Sequence, residues 1–238
     1  MENVIQVKDL YKLYKVGDEV VRALENINFT VARGEFVAIV GTSGSGKSTL
    51  LNMLAGLEGP TKGEIVVGGE HIEKRTEEEL VTYRRKKVGF IFQSFHLMPM
   101  LTASENVALP LSFQGVSKKE RLQEAAKMLQ KVRLSSHKEH VPMQMSGGQQ
   151  QRVGIARALV VDPQIIFADE PTGNLDSQTS EEIMTLMQKV VRDNQKTLVM
   201  VTHDDNLATY ADRVFHIKDG QITKIVDNRR EEGGKEDE

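Results

Sequence analysis

A glycine-rich segment at residues 41–48, with the sequence GTSGSGKS, has residue types and spacing suited to phosphate binding. Glycines let the backbone turn several N–H groups towards one anion, and the start of a following helix adds more donors. Lys47 supplies a charge for the β- and γ-phosphates, and the Ser48 hydroxyl can ligate Mg²⁺. The predicted nucleotide-binding residues here are Gly41, Thr42, Ser43, Gly44, Ser45, Gly46, Lys47, Ser48 and Thr49.

Two acidic residues, Asp169 and Glu170, directly follow the apolar run Ile165–Ala168. A carboxylate at the carboxyl end of a parallel strand lies where ligands bind in such sheets. We therefore expect Asp169 in the coordination shell of Mg²⁺ and Glu170 beside a water aimed at the γ-phosphate. Without the phosphate loop, the same acids would as readily be read as the start of a loop.

The segment Ser146–Gln149, with the sequence SGGQ, precedes a helical pattern at residues 150–159. Two glycines at the start of a helix make a second anion cradle, so this chain carries two such helix starts. The alternative is a serine that caps the helix and is followed by a flexible turn, which is a common arrangement.

The order of the motifs resembles that of the ABC (ATP-binding cassette) transporter ATPases over residues 1–228. The phosphate loop resembles the Walker A motif, and residues 165–170 resemble the Walker B motif. Ser146–Gln149, followed by Gln-Gln-Arg, resembles the signature motif of the family. The three remaining matches are Gln93 for the Q-loop, Gly173–Asp176 for the D-loop and Val201–Asp204 for the switch-histidine motif.

The resemblance implies a role for several single residues. Glu170 would be the catalytic base, and His203 would contact the γ-phosphate and hold the attacking water. Gln93 would be a catalytic residue and a ligand of the metal. It would sense both the metal and the transport subunit. Asp176 would be among the nucleotide-binding residues.

An aromatic residue near the N-terminus would stack on the adenine ring in this family. Tyr14 is the choice because of its spacing to Gly17, and Tyr11 is the alternative.

The family also implies partners. ATP on the Walker A motif of one subunit would be covered by Ser146–Gln149 of a second copy, which gives a homodimer in the ATP-bound state. The cofactors would be ATP and Mg²⁺. We expect a separate integral-membrane permease, an extracytoplasmic adaptor reached through it, and a peripheral location on the cytoplasmic side of the inner membrane.

Most elements that must position these residues can be read from the hydrophobic pattern. Apolar strands are predicted at 4–7, 20–24, 27–31, 36–40, 165–168 and 198–201, and helices at 48–57 and 180–192. We expect an α/β P-loop NTPase (RecA-like) fold. Its parts would be a mostly parallel sheet, an N-terminal antiparallel β subdomain, a helical subdomain at about 95–160 and a frayed, charged tail at 229–238.

The segment Phe95–Val107 resembles the corresponding region of the lipoprotein-release and macrolide-export group, which would make this chain part of an exporter. The related cell-division ATPase and the peptide-resistance and peptide-sensing systems remain alternatives. The same segment is expected to dock a cytoplasmic helix of the permease, because its apolar residues directly follow Gln93. Packing of these residues within the helical subdomain is the other explanation.

Composition limits the alternatives. The 238 residues include no cysteine and carry a net charge of −3, so disulfides are excluded and nothing draws the chain to nucleic acid. We expect no signal peptide and no membrane span, since the apolar runs are short. A P-loop kinase or GTPase leaves the second cradle unexplained, a DNA-maintenance ATPase needs a long inserted coiled coil, and related translation factors carry two cassettes.

Overall fold

The computed structural model describes residues 2–230, except for the side chain of Arg230. The strands are β1 Asn3–Val16, β2 Glu19–Ala32, β3 Phe36–Val40, β4 Lys62–Val67, β5 Glu70–His71, β6 Val88–Phe92, β7 Ile165–Asp169, β8 Thr197–Thr202, β9 Arg213–Lys218 and β10 Gln221–Asp227. The helices are α1 Lys47–Leu54, α2 Glu77–Lys87, α3 Ala103–Phe113, α4 Lys118–Lys131, α5 Gly147–Leu159, α6 Ser177–Asn194 and α7 Asp205–Ala208.

The central sheet has the strand order β10-β9-β3-β8-β7-β6, and all neighbours except β10 and β9 are parallel. The predicted strands 36–40, 165–168 and 198–201 therefore form its middle. The register pairs Phe92 with Asp169, Asp169 with Val201 and Val40 with Thr202. The carboxyl ends of four parallel strands thus meet along one edge, where ligands bind in sheets of this kind.

Both faces of this sheet are covered, which explains why its strands are continuously apolar. Alternate residues of β3 belong to different cores: Ala38 and Val40 pack with helices α3 to α6, whereas Val37 and Ile39 pack with α1 and the second sheet. The predicted phosphate-binding loop, which follows β3, is therefore anchored between two cores.

The second sheet is antiparallel, with the order β2-β1-β4-β5. The turn predicted at Gly17-Asp18 connects β1 and β2, but the prediction of two short strands at 20–24 and 27–31 is wrong. One strand runs through, because Asn26 adopts a φ of 51° and the ladder shifts register there instead of ending. Strand β1 likewise continues past Asp9, which has a φ of 47°.

Helices α3, α4 and α5 fill the interval between β6 and β7, where the helical subdomain was predicted at about 95–160. Helix α1 ends at Leu54 and not at the predicted Leu57, because Gly56 adopts a φ of 67° that suits a helix terminus. Within residues 2–230, no helix is long and apolar enough to cross a membrane.

The charged tail was predicted to begin at residue 229. Arg229 lies in a short 3₁₀ turn and pairs with Asp227 and with the buried Glu35, at 3.0 and 3.5 Å. Residues 231–238 of the predicted tail lie outside the described part of the chain.

Candidate nucleotide-binding site

The phosphate loop connects β3 to α1 and is bent by glycines at positive φ, 79° at Gly44 and 101° at Gly46. A Cβ atom at Gly46 would lie 2.5 Å from the carbonyl oxygen of Ala23, so this position requires glycine for space as well as for conformation. The Lys47 ammonium is buried and donates to the carbonyl oxygens of Gly41 and Thr42, both at 2.8 Å. The positive charge of Lys47 is therefore held within the loop.

A candidate metal site lies where α1 begins beside the end of β7. The Ser48 hydroxyl and Asp169 Oδ1 are 3.3 Å apart. Burial raises the pKa of Asp169, as does the neighbouring Glu170, against the opposing effects of Ser48 and Lys47. The Ser48 hydroxyl and the half-buried Asp169 carboxylate supply oxygen ligands that fit a hard divalent cation. A bound cation would favour the charged form of Asp169.

Gln93 follows β6 directly and so comes to the same edge of the sheet. Its side chain packs against the backbone of Gly173, where an added Cβ would lie 2.7 Å from Gln93 Nε2. The Asn174 amide donates to the Gln93 carbonyl oxygen at 3.1 Å. These contacts join the predicted Q-loop to the predicted D-loop.

Glu170 and His203 are brought together although 33 residues separate them in the chain. Glu170 Oε1 lies 3.1 Å from His203 Nδ1, and the Glu170 N–H donates to the carbonyl oxygen of Val201 at 3.0 Å. Glu170 has a φ of 42°, a conformation that costs free energy for a residue other than glycine and often occurs at functional sites. A carboxylate held beside an imidazole can accept a proton from water.

The second predicted cradle, Ser146–Gln149, begins α5 with a reciprocal cap. The Gln149 N–H donates to Ser146 Oγ at 3.3 Å, and the Ser146 N–H donates to Gln149 Oε1 at 2.9 Å. Its glycines also permit close packing, because a Cβ at Gly148 would lie 2.5 Å from Thr179 Cγ2 on α6.

Asp176 caps the neighbouring helix α6. Its carboxylate accepts from the hydroxyl and the N–H of Thr179, at 2.6 and 2.9 Å, and these bonds lower the pKa of Asp176. Since Thr179 also contacts Gly148, Asp176 and the second cradle lie on one surface.

The two predicted phosphate-binding segments lie apart in the described part of the chain. Among residues 2–230, no hydrogen bond links segment 146–149 to segment 41–49. The first segment contacts Asp169, Ala23 and Ile217, whereas the second contacts α6 and Phe95.

Tyr14 is half-buried and lies against the start of α1. Its hydroxyl donates to Glu58 Oε2 at 2.8 Å and lies near the side chain of Thr49. Burial raises the pKa of Tyr14. Tyr11, the alternative, lies by Lys62 of β4, whose Nζ is 5.3 Å from the ring centre.

Some residues at the site were not found from the sequence. A cleft of about 770 Å³ beside the phosphate loop is lined by Glu170 and His203, and also by Asp205, His216 and Thr223. His216 lies on β9, in the middle of a strand whose pattern shows only its burial. Nothing in the spacing of these three residues could have pointed to a site.

Comparison with known proteins identifies the family. The family model described as "ABC transporter" matches residues 24–173.

This chain belongs to the ABC transporter family. The cassette is 47% identical over 228 residues to an uncharacterized ABC transporter ATP-binding protein, MJ0796 of Methanocaldococcus jannaschii, covering 93% of this chain and 96% of that protein. It is 46% identical over 224 residues to the macrolide export ATP-binding/permease protein MacB of Shigella flexneri. It covers only 34% of that longer protein.

Among solved structures, the cassette resembles the dimeric post-hydrolysis state of MJ0796 bound to ADP and Pi, with a TM-score of 0.87 and 45% identity. The match covers 94% of this chain and 99% of that one. The predictions of an ABC cassette, of a P-loop NTPase fold and of a transporter ATPase that binds ATP are thereby confirmed.

Proposed function

We propose that this cassette drives a separate membrane permease as a head-to-tail homodimer, in which each ATP lies between the phosphate loop of one copy and Ser146–Gln149 of the other. The observation that carries this is the separation of the two anion-binding helix starts within one chain. A symmetric pair of chains completes both sites at once. The dimeric structures of MJ0796 support the arrangement.

Each predicted residue has a role in this site. The loop N–H groups and Lys47 bind the β- and γ-phosphates, and Tyr14 stacks on the adenine. Ser48, Asp169 and Gln93 would hold Mg²⁺, which supplies charge neutralisation on the phosphates when bound. The remaining nucleotide-binding residues are Gly41, Thr42, Ser43, Gly44, Ser45, Gly46, Thr49 and Asp176.

Hydrolysis follows from the contact of Glu170 with His203. The Glu170 carboxylate accepts a proton from the attacking water, so that the oxygen can bond to the γ-phosphorus as the bond to ADP breaks. His203 orients the carboxylate through the 3.1 Å contact and faces the same cleft. Because the γ-phosphate contacts both chains, ATP favours the closed dimer and release of the γ-phosphate favours the open one. This change between closed and open dimer can drive the movement of a permease.

The permease docks, in this proposal, on the segment 95–107 that follows Gln93. Asn106 stabilises the conformation of this segment, because its buried amide forms hydrogen bonds with backbone groups of Met98, Leu101 and Thr102. Met100, in the same segment, is 87% exposed. A mainly apolar cleft of about 390 Å³ is lined in part by Phe113 and by Arg157, which also contacts Phe95 and His96, and it offers room for a helix of the partner.

Arg157 connects this docking segment to α5, the helix of the second cradle. Its partly buried guanidinium donates to the carbonyl oxygens of Phe95 and His96, at 2.7 and 2.5 Å. Both residues have a positive φ, so one side chain stabilises two strained positions. Burial lowers the pKa of Arg157.

The transporter is of the macrolide-export, peptide-export or lipoprotein-release type, in this proposal, and the cassette lies peripherally on the cytoplasmic face of the inner membrane. The match to MacB over 94% of this chain supports an exporter. A large extracytoplasmic permease domain would then engage an adaptor. Cell-division and peptide-resistance cassettes remain the alternatives, and purification with the attached permease would decide among them.

The Glu170→Gln variant tests the proposed dimer. It keeps the shape of the side chain but removes the base, so hydrolysis should slow by about 10²- to 10⁴-fold. ATP then stays in the interface, and size-exclusion chromatography should show a dimer with ATP and a monomer with ADP. Adding Ser146→Arg should restore the monomer in ATP, whereas a persistent dimer would remove Ser146–Gln149 from the site.

A further inference from the structure

We propose that His137 is a positioning residue for the second cradle, where it holds the Gln149 side chain in the one orientation that keeps the Ser146 cap closed. His137 lies in a short 3₁₀ turn at Ser135–His137, ahead of the cradle in the chain. The inference rests on the proposed function, in which this cradle covers the ATP of the other copy.

The orientation of the Gln149 amide is determined by its contact with the backbone. Gln149 Oε1 accepts from the Ser146 N–H at 2.9 Å, and because an N–H can only donate, the amide oxygen must face Ser146. The NH₂ group then points the other way, where Gln149 Nε2 lies 3.1 Å from His137 Nε2. An amide NH₂ offers only donors, so His137 Nε2 must be the acceptor.

This assignment fixes the tautomer of His137. An imidazole whose Nε2 accepts is neutral and carries its proton on Nδ1. Ser136 Oγ lies 3.0 Å from His137 Nδ1 and can accept that proton's hydrogen bond. One arrangement of protons therefore satisfies Ser146, Gln149, His137 and Ser136 together.

The ring is held in place by packing and by its backbone. The rings of His137 and His140 meet edge to face at 5.0 Å. The turn is tied to α3, since the N–H groups of Ala103 and Ser104 donate to the carbonyl oxygens of His140 and Lys138, at 2.8 and 2.9 Å. His137 thus presents its acceptor from a fixed loop.

The expected consequence is a cradle that is ordered before ATP arrives. Without His137, Gln149 is free to leave its cap, and closing the dimer must then restore that order. One hydrogen bond of this kind corresponds to about a 2- to 12-fold change in an equilibrium constant. The ATP concentration that gives half-maximal dimer should rise by the same factor when His137 is replaced by alanine.

The test uses the Glu170→Gln chain and measures the ATP concentration that gives half-maximal dimer. Adding His137→Ala should raise it by about 2- to 12-fold. His137→Gln should restore the parent value, because its amide oxygen can accept from Gln149. The matched control is His71→Ala, which removes a histidine from β5 in the other sheet and should leave the value unchanged.

The outcomes separate the two proposals. If Ser146→Arg abolishes the dimer but His137→Ala has no effect, the role of His137 is overturned alone. If His137→Ala and His137→Gln weaken the dimer equally, the acceptor role is overturned, because only packing of the ring would be left. A dimer that survives Ser146→Arg would overturn the proposed cradle and this inference together.

A spectroscopic signature provides a second readout. Proton–nitrogen NMR correlations of the His137 ring at alkaline pH should show the proton on Nδ1, and Gln149→Ala should remove this preference. A proton on Nε2 in the unaltered chain would overturn the assignment.

Discussion

Tyr14 and Tyr11 lie three residues apart in β1, and their side chains have different neighbours. The Tyr14 hydroxyl donates to Glu58 Oε2 at 2.8 Å and lies near Thr49 of α1, the helix that follows the phosphate loop. Tyr11 faces Lys62 on β4 instead. These contacts support the choice of Tyr14 for the adenine.

We predict that Tyr14→Ala weakens ATP binding by about 1–3 kcal/mol, the scale of a base stacked on an aromatic ring. Tyr14→Phe should retain most of the affinity, since it keeps the ring and loses only the hydroxyl. Titration with a fluorescent ATP analogue measures both. A loss of affinity in Tyr11→Ala that is absent in Tyr14→Ala would reverse the assignment.

The sequence shows the parts of the site that are close together in the chain. Lys47 and Ser48 follow from one motif, and Asp169 from a strand that ends in acids. The contact of Glu170 with His203 depends on the order of strands in the sheet, which the hydrophobic pattern does not specify. The family resemblance gave both residues a role in hydrolysis but did not predict their contact. The bond of His137 to Gln149 depends on a loop conformation and left no sequence signal.

At the scale of elements, the close approach of α5 and α6 is controlled by Gly148. A Cβ there would meet Thr179 Cγ2 at 2.5 Å, and a β-branched side chain cannot easily turn away. We predict that Gly148→Ala destabilises the fold by about 1–3 kcal/mol.

The matched variant is Gly148→Ala with Thr179→Ser, which removes Cγ2 but keeps the hydroxyl for Asp176. It should recover most of the lost stability in a urea unfolding experiment. If the second substitution gives no recovery, the close contact is not the cause.

The docking segment divides into a packed part and a displayed part. Leu97 packs against the core of the helical side, as the alternative interpretation expected, whereas Met100 is exposed. We predict that Met100→Glu weakens binding of the cassette to membranes that contain its permease, while ATP hydrolysis in solution persists.

Co-sedimentation with those membranes measures the effect of Met100→Glu. Ile225→Glu, at an exposed apolar residue of β10, is the control and should bind normally. Equal binding by both variants would contradict docking through Met100.

Element types were largely readable from the sequence, but their continuity was not. The middle strands are apolar on both sides, and this pattern identified them correctly. Strand β2 was divided in two because its alternation changes phase at Asn26, where the backbone bulges without breaking the pairing. A period-2 pattern cannot distinguish a bulge from a turn.

For the whole molecule, the central claim is that each ATP site is made by two copies of this chain. The two halves, centred on Lys47 and on Ser146, are built on different elements and no hydrogen bond joins them within residues 2–230. Sequence alone shows both halves, but it does not show on which surfaces they lie.

Mixing two inactive variants tests this claim most directly. Lys47→Ala and Ser146→Arg should each abolish ATP hydrolysis when alone. In a mixed dimer, the intact loop of one chain faces the intact cradle of the other, so equal mixing should recover up to about a quarter of the normal activity. Sites formed within single chains predict no recovery, and a mixture that stays inactive while mixed dimers form would contradict the account.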